Sequence, residues 1–267
     1  MSNSNIQLSV FTKPWKTQSV AEIAENISGL GFDGIEFPLR DGYQVEPKDA
    51  DRGLPKLVSE LAKYNLSVFS VASTPDERVF AACAEASVPM IRIMTSITFE
   101  EGYMASERRE RQYLESLLPL CQKYNVQIGV QQHYGSSVID AMGLLHLLEG
   151  IDSRYIKAIW DSAHDGLTGL APEHGLDIVW SQLGMVNLKN AYYQRVNGPE
   201  AEQAKFERHF TLGRHGMSPW PRVIAYLQKR NYNGVITMTA EYTDEHKVDE
   251  YIAIDVAQVR SLLGREG

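Results

Sequence analysis

Ile156-Lys-Ala-Ile-Trp160-Asp161-Ser-Ala-His164-Asp165-Gly166 closes a short apolar run with an acid, a histidine three residues later and a glycine. Such a run reads as a buried strand delivering polar groups to its C-terminal end, where parallel α/β folds keep their chemistry. Asp161 and His164 can turn into one pocket as metal ligands or as an acid–base pair. A purely structural reading stands beside this one: Asp161 caps the next turn and His164 is a satisfied loop histidine. The rest of the chain decides between them.

Working outward, similar runs recur. Residues 6–11, 32–38, 66–72, 89–94, 126–131, 185–189 and 234–241 read as further strands. Helical patterns separate them. The first, 20–30, follows a capping box of Ser19 and Glu22, and the second is marked by Leu54, Leu57, Val58 and Leu61. Others cover 77–86, 106–124, 137–148, 176–183, 218–229 and 248–263, while 190–216 reads as a long polar loop. Strand and helix thus alternate eight times, which implies a parallel α/β sheet closed into a (β/α)8 TIM barrel. An open doubly wound sheet is the rival. It predicts a glycine-rich phosphate turn after the first strand, and Phe11-Thr-Lys-Pro-Trp15 is nothing like one, so no nucleotide cofactor is expected.

The bulk numbers fit this architecture. With 267 residues, 43% of them hydrophobic, the chain suits a single barrel domain over 1–267. A formal net charge of -8 argues against a nucleic-acid partner, which needs a basic footprint. Residues 1–7 lack the basic-then-apolar order of a signal peptide, and no apolar stretch is long enough for a bilayer. Cys83 and Cys121 both fall in amphipathic helices, which opposes a disulfide framework. The expectation is a soluble cytoplasmic protein with no membrane partner.

In a barrel the strand ends converge on one face. They carry Lys13, Glu36, Arg92, Gln131 with His133, Asp161 with His164, Asn187 with Lys189, and Glu241. Polar groups near a barrel mouth cost free energy unless they find partners. One or two pairs are expected to be structural, Arg92 with Glu36 foremost. The set as a whole points to a pocket for a polar small molecule.

Gly-Phe-Asp-Gly-Ile-Glu36, Gln131-Gln-His133, Asp161-x-x-His164, Asn187-Leu-Lys189 and the Glu241 strand resemble, in order, the landmarks of the xylose isomerase-like barrel superfamily. That superfamily includes sugar-phosphate isomerases and epimerases, tagatose 3-epimerase, hydroxypyruvate isomerase, inosose dehydratase and endonuclease IV (the AP endonuclease family 2 type). The resemblance implies a small carbohydrate substrate, homodimers, and a divalent Mn, Mg or Zn ion. The fifth-strand Glu, sixth-strand Asp, seventh-strand His and eighth-strand Glu would hold that metal, and both glutamates would shuttle protons.

Here Gln131 stands at the first glutamate and Asn187 at the histidine, whereas Asp161, His133, His164 and Lys189 match. Glu241 lies two residues beyond the expected position, which Thr239 occupies; two residues preserve a strand face, so Glu241 is expected to point inward one step higher. Asp161, Glu241 and Gln131 are the candidate metal ligands. Amide oxygens bind hard cations weakly and suit zinc poorly, so metal binding stays open.

Phe206-Glu207-Arg208-His209-Phe-Thr-Leu-Gly213-Arg214-His215 resembles the endonuclease IV loop that supplies a ligand pair, here Glu207 and His209. In the sugar enzymes the same loop places Arg214 to meet a carboxylate or phosphate. His215 reads equally as a solvated surface residue.

The leading expectation is an isomerase or epimerase that abstracts a proton next to the carbonyl of a small sugar, sugar phosphate or keto-sugar. Glu241 is the base, His133 and His164 relay protons, and Lys189 stabilises the enediolate. Glu36, Arg92, Gln131, Asn187, His209 and Arg214 would bind substrate. Two rivals remain: a keto-sugar or keto-inositol lyase or dehydratase, which needs only one base, and a sugar-binding barrel that no longer catalyses.

Overall fold

The computed structural model describes residues 5–265. Residues 1–4, part of the stretch that argued against a signal peptide, lie outside them. The strands are β1 Gln7–Phe11, β2 Gly34–Pro38, β3 Ser67–Ala72, β4 Met90–Met94, β5 Gln127–Gln131, β6 Ile156–Asp161, β7 Leu183–Leu188, β8 Asn190–Arg195, β9 Phe206–Thr211 and β10 Val235–Met238. The helices are α1 Val20–Gly29, α2 Ala50–Ala62, α3 Glu77–Glu85, α4 Tyr103–Tyr124, α5 Ala141–Leu148, α6 Ser162–Leu167, α7 Pro172–Val179, α8 Trp220–Lys229 and α9 Val248–Leu262. A closed parallel barrel runs β1-β10-β7-β6-β5-β4-β3-β2, with β8 and β9 paired as a separate antiparallel hairpin. The TIM-barrel expectation holds.

The strands look apolar because both faces are covered, yet the two faces differ. Ile91, Ile128, Val130, Ala158, Trp160 and Val186 face the helices in one continuous core. The alternate positions point into the barrel, where Met90, Ile159 and Met185 form an apolar floor. Gly129 makes room for it: a Cβ there would lie 2.5 Å from Ile159 Cδ1 and 2.6 Å from the Met90 sulfur. Above the floor the inward positions turn polar. Among the described residues no helix is long and apolar enough to cross a membrane.

Several elements differ from the sequence reading, and four of the differences have a local reason. The helix read over 137–148 begins at Ala141, because Asp140 caps it at Gly143 N (2.7 Å) while Ser137 and Val138 bond Thr95. The helix read over 176–183 is α7 and ends earlier, since Gln182 O accepts from Ala158 N (2.8 Å) and Leu183 joins the sheet beside Ala158. A short α6, capped by Asp161, precedes it. The long polar loop holds the β8–β9 hairpin, in which Asn190 pairs with Thr211 and Arg195 with Phe206. Asn190 anchors its base by donating to Gly213 O (2.7 Å) and Ser218 O (2.6 Å). Finally, β10 ends at Met238, and Ala240 turns the chain at φ 49°. Glu241 therefore reaches the barrel mouth through a turn, and the same-face argument for it does not apply.

Asp255 ties α9 to these upper loops. It accepts from Gly213 N (2.9 Å) and Tyr242 Oη (2.8 Å) while 1% exposed. Burial pushes its carboxyl up from 3.8 to about 6, against both hydrogen bonds, which favour the charged form. Between these values the folded state keeps a proton that the unfolded chain releases, so this group's contribution is full below pH 3.8 and is lost as pH rises through about 6. Asp255→Asn keeps an acceptor for Gly213 and offers an N–H to the Tyr242 hydroxyl. Urea unfolding at several pH values should show wild type losing on the order of 2–3 kcal/mol relative to Asp255→Asn as pH rises across that window.

Candidate active site

One chain of contacts crosses the polar layer. Arg92 Nε donates to Glu36 Oε1, and Arg92 Nη1 donates to Gln131 Oε1 at 2.7 Å. Gln131 Nε2 donates to Asp161 Oδ2 at 2.7 Å. Lys189 Nζ lies 3.7 Å from that oxygen and donates to Glu241 Oε2 at 3.0 Å. Acid, base, amide, acid, base and acid thus follow one another from β2 round to the turn after β10. The ion pair expected of Arg92 and Glu36 is present, and the Arg92 guanidinium also lies 4.6 Å from the Phe11 ring centre.

Asp161 caps the next turn, as the structural reading of the opening stretch has it, whereas His164 is not the satisfied loop histidine of that reading. Asp161 Oδ1 accepts from Ala163 N (3.1 Å) and His164 N (3.2 Å), capping α6, while Oδ2 faces Gln131 and Lys189 beneath the cavity. The cap holds the following helix turn so that the His164 ring returns beside Asp161, with Nε2 3.9 Å from Oδ2. Neither ring nitrogen of His164 has a hydrogen-bond partner. The His133 ring stands 4.4 Å away. Burial first, then the Lys189 charge, holds His133 below its ordinary value and His164 well below it, so both are neutral near pH 7. For Glu241 burial pulls upward, but Lys189 and Lys13 outweigh it, and the carboxyl sits below its ordinary value.

A cavity of about 430 Å³ opens over this chain, lined among others by Lys13, Arg40, Arg92, His133, Lys189 and Glu241. Thr239 also lines it with an unpartnered buried hydroxyl. Asn187 is fully buried, and both its side-chain polar atoms lack a partner; its register places it beside Asp161 and Thr237.

The β8–β9 hairpin forms a lid edge. Phe210 packs edge-on to His164 at 6.3 Å and lies 5.1 Å from Lys189 Nζ, and Arg208 stacks on Tyr134 at 3.4 Å. Successive strand residues face opposite ways. His209 accordingly turns from Lys189 to stack on Tyr192 at 5.0 Å. Glu207 pairs with exposed Lys205 (3.0 Å) on the same hairpin, so it forms no ligand pair with His209. Arg214 and His215 are exposed and line no part of the cavity. Arg40, Tyr134 and Phe210 escaped the sequence reading. For Phe210 the signal was its alternation with His209.

A family model described as xylose isomerase-like TIM barrel matches residues 24–261. The chain belongs to that family. Among solved structures, this xylose isomerase-like barrel is similar to D-psicose 3-epimerase in the presence of D-fructose, at 14% identity and TM-score 0.70, covering 97% of this chain and 100% of that one. It is also similar to 3-keto-D-glucoside 4-epimerase from E. coli, at 12% identity and TM-score 0.72, covering 96% and 99%. A probable 3-DHS dehydratase from Bacillus anthracis matches at 15% identity and TM-score 0.71, covering 95% and 98%. At such identities the likeness establishes the fold. A sequence search of the curated proteins finds no match.

The residues present do not fit the divalent metal that the family resemblance implies. Gln131 has its carbonyl engaged by Arg92 and its N–H₂ turned to Asp161, so it offers a donor where an ion needs an acceptor. Asn187 brings no charge, and the ammonium of Lys189 stands within reach of both remaining carboxylates. Among the described residues no group of three or more His, Cys, Asp or Glu is placed to hold an ion.

Glu36 is fully buried and leans on Arg92 for its charge. Arg92→Met should cost about 3–5 kcal/mol in urea unfolding, because it strands that carboxylate. The double replacement Glu36→Leu with Arg92→Met should recover most of the loss. A double-mutant cycle checks this, and additive losses would contradict it.

Proposed function

We propose that this barrel is an enzyme that moves protons next to the carbonyl of a small polyhydroxy compound, isomerising or epimerising it. The observation that carries the reading is the Lys189–Glu241 contact at 3.0 Å in the cavity wall, with neutral His133 in the same wall. A substrate carbonyl beside Lys189 places its α-carbon near Glu241. Glu241 takes the C–H proton as the base, and the ammonium stabilises the enediolate oxygen that forms. Glu241 then returns that proton to carbon while His133, with His164 behind it, carries a hydroxyl proton between the two oxygens, and Thr239 offers a free hydroxyl to the substrate.

Lys13 and Arg40 form no salt bridge among the described residues and line the same cavity. They suit a phosphate or carboxylate on the substrate, the role expected of Arg214. A second reading has its own support. Gln131 removes one of the two carboxylates that epimerisation uses, and a single base suffices for loss of water next to a carbonyl.

Incubation with ketoses, ketose phosphates and keto-inositols in D₂O tests both readings. Deuterium should enter the α-carbon, at unchanged skeleton mass for isomerisation and with loss of water for dehydration. Glu241→Gln should slow exchange by roughly 10²–10⁴-fold. The rate should fall on acidification with a midpoint below the 6.5 of an ordinary imidazole, as His133 gains its proton. No exchange across the panel would sink the enzyme reading and leave a sugar-binding barrel.

A further inference from the structure

We propose that the Lys189 ammonium is the resident cation of this pocket: it does for Asp161 and Glu241 what a divalent ion would do, and the site is complete without a metal. The idea deepens the proton-transfer reading, because it names the electrophile of that same site. Three observations carry it.

The first is burial. Asp161 is fully buried, and a buried carboxylate without a compensating charge is strongly unfavourable. His164, its nearest imidazole, has Nε2 3.9 Å from Asp161 Oδ2 and makes no hydrogen bond to it. Lys189, whose side chain is 3% exposed, has Nζ 3.7 Å from Asp161 Oδ2. No other cation reaches Asp161 within 4 Å among the described residues. The second is bridging. The same Nζ donates to Glu241 at 3.0 Å, so one positive charge joins carboxylates from β6 and from the turn after β10.

The third is the orientation of Gln131. Reversing its amide would set carbonyl against carboxylate and N–H₂ against guanidinium. Arg92 and Asp161 therefore lock the one orientation that offers hydrogen-bond donation at Asp161. A metal would need that atom to be an acceptor. With one carboxylate and one imidazole fewer than the family set, the ammonium answers the buried Asp161, while Glu241, 37% exposed, also meets the open cavity.

The test reads metal content and melting, so it needs no substrate, and a failure of the proton-transfer reading would leave its outcome intact. Purified full-length protein is analysed for bound metals and then melted with EDTA or with ~1 mM MnCl₂, MgCl₂ or ZnCl₂. The expectation is no stoichiometric metal and no shift of the melting temperature in either direction. Stoichiometric metal, or a fall of several degrees in EDTA, overturns the proposal.

A second arm examines Lys189 itself. Lys189→Met should lower the melting temperature by on the order of 10 °C, and Asp161→Asn with Lys189→Met should recover most of that loss. The double variant also serves if Lys189→Met alone fails to fold, since it removes the charge that needed a cation. A Lys189→Met protein that melts like wild type, or a double variant that recovers nothing, overturns the proposal. Adding Gln131→Glu and Asn187→His to Lys189→Met should create Mn²⁺ binding, seen as a rise in melting temperature with ~1 mM MnCl₂. A wild type that rises equally would overturn it.

Discussion

The upper half of this barrel depends on a carboxylate that water cannot reach. Asp161 sits fully buried where β6 ends, and hydrogen-bond donors and one ammonium answer its charge. Two backbone N–H groups of α6 take one oxygen; the Gln131 amide and, more distantly, the Lys189 ammonium take the other. Remove that charge and the amide orientation, the short α6 and the lysine's inward reach lose their reason. The neighbouring Glu36–Arg92 pair obeys the same rule one step round the barrel, and Gln131 joins the two systems. Compensation of buried charge, more than shape, organises the mouth.

That arrangement also defines the chemistry available. The ammonium next to Glu241 keeps its carboxyl ionised at neutral pH, and the cost is weaker basicity. The two imidazoles are kept neutral by burial and by Lys189, so they can accept or pass a proton near pH 7. Phe210 and Tyr134 cover the imidazoles from the hairpin side, which lowers the local polarity and strengthens the electrostatic terms within. Membership of the xylose isomerase-like family sets this pocket among barrels that present strand-end residues to small molecules. The departures at Gln131 and Asn187 are what make it distinct within that plan.

The strand-end residues come together where geometry is imposed by a repeated rule. Asp161, Lys189, Glu36, Arg92 and Gln131 all met because parallel strands in one register deliver alternate residues to one face. His209 and Arg214 stand apart from the cavity for the opposite reason. They lie on or beside a hairpin whose pairing partner is fifteen or so residues distant, and the side each residue faces follows from the register Tyr192–His209, which no local pattern announces.

By itself, the sequence determined the alternation of strand and helix, hence the closed barrel, and put a polar residue at most strand ends. It also shows amides, Gln131 and Asn187, at two positions where the family resemblance implies metal ligands. Only the tertiary structure decided what those amides do. An amide has a donor end and an acceptor end, and which end faces Asp161 depends on the charge of Arg92, a residue distant in the chain and adjacent in space. The same holds for Lys189: its charge is legible in one letter, but its place between Asp161 and Glu241 exists only once β6, β7 and the turn after β10 have closed the barrel.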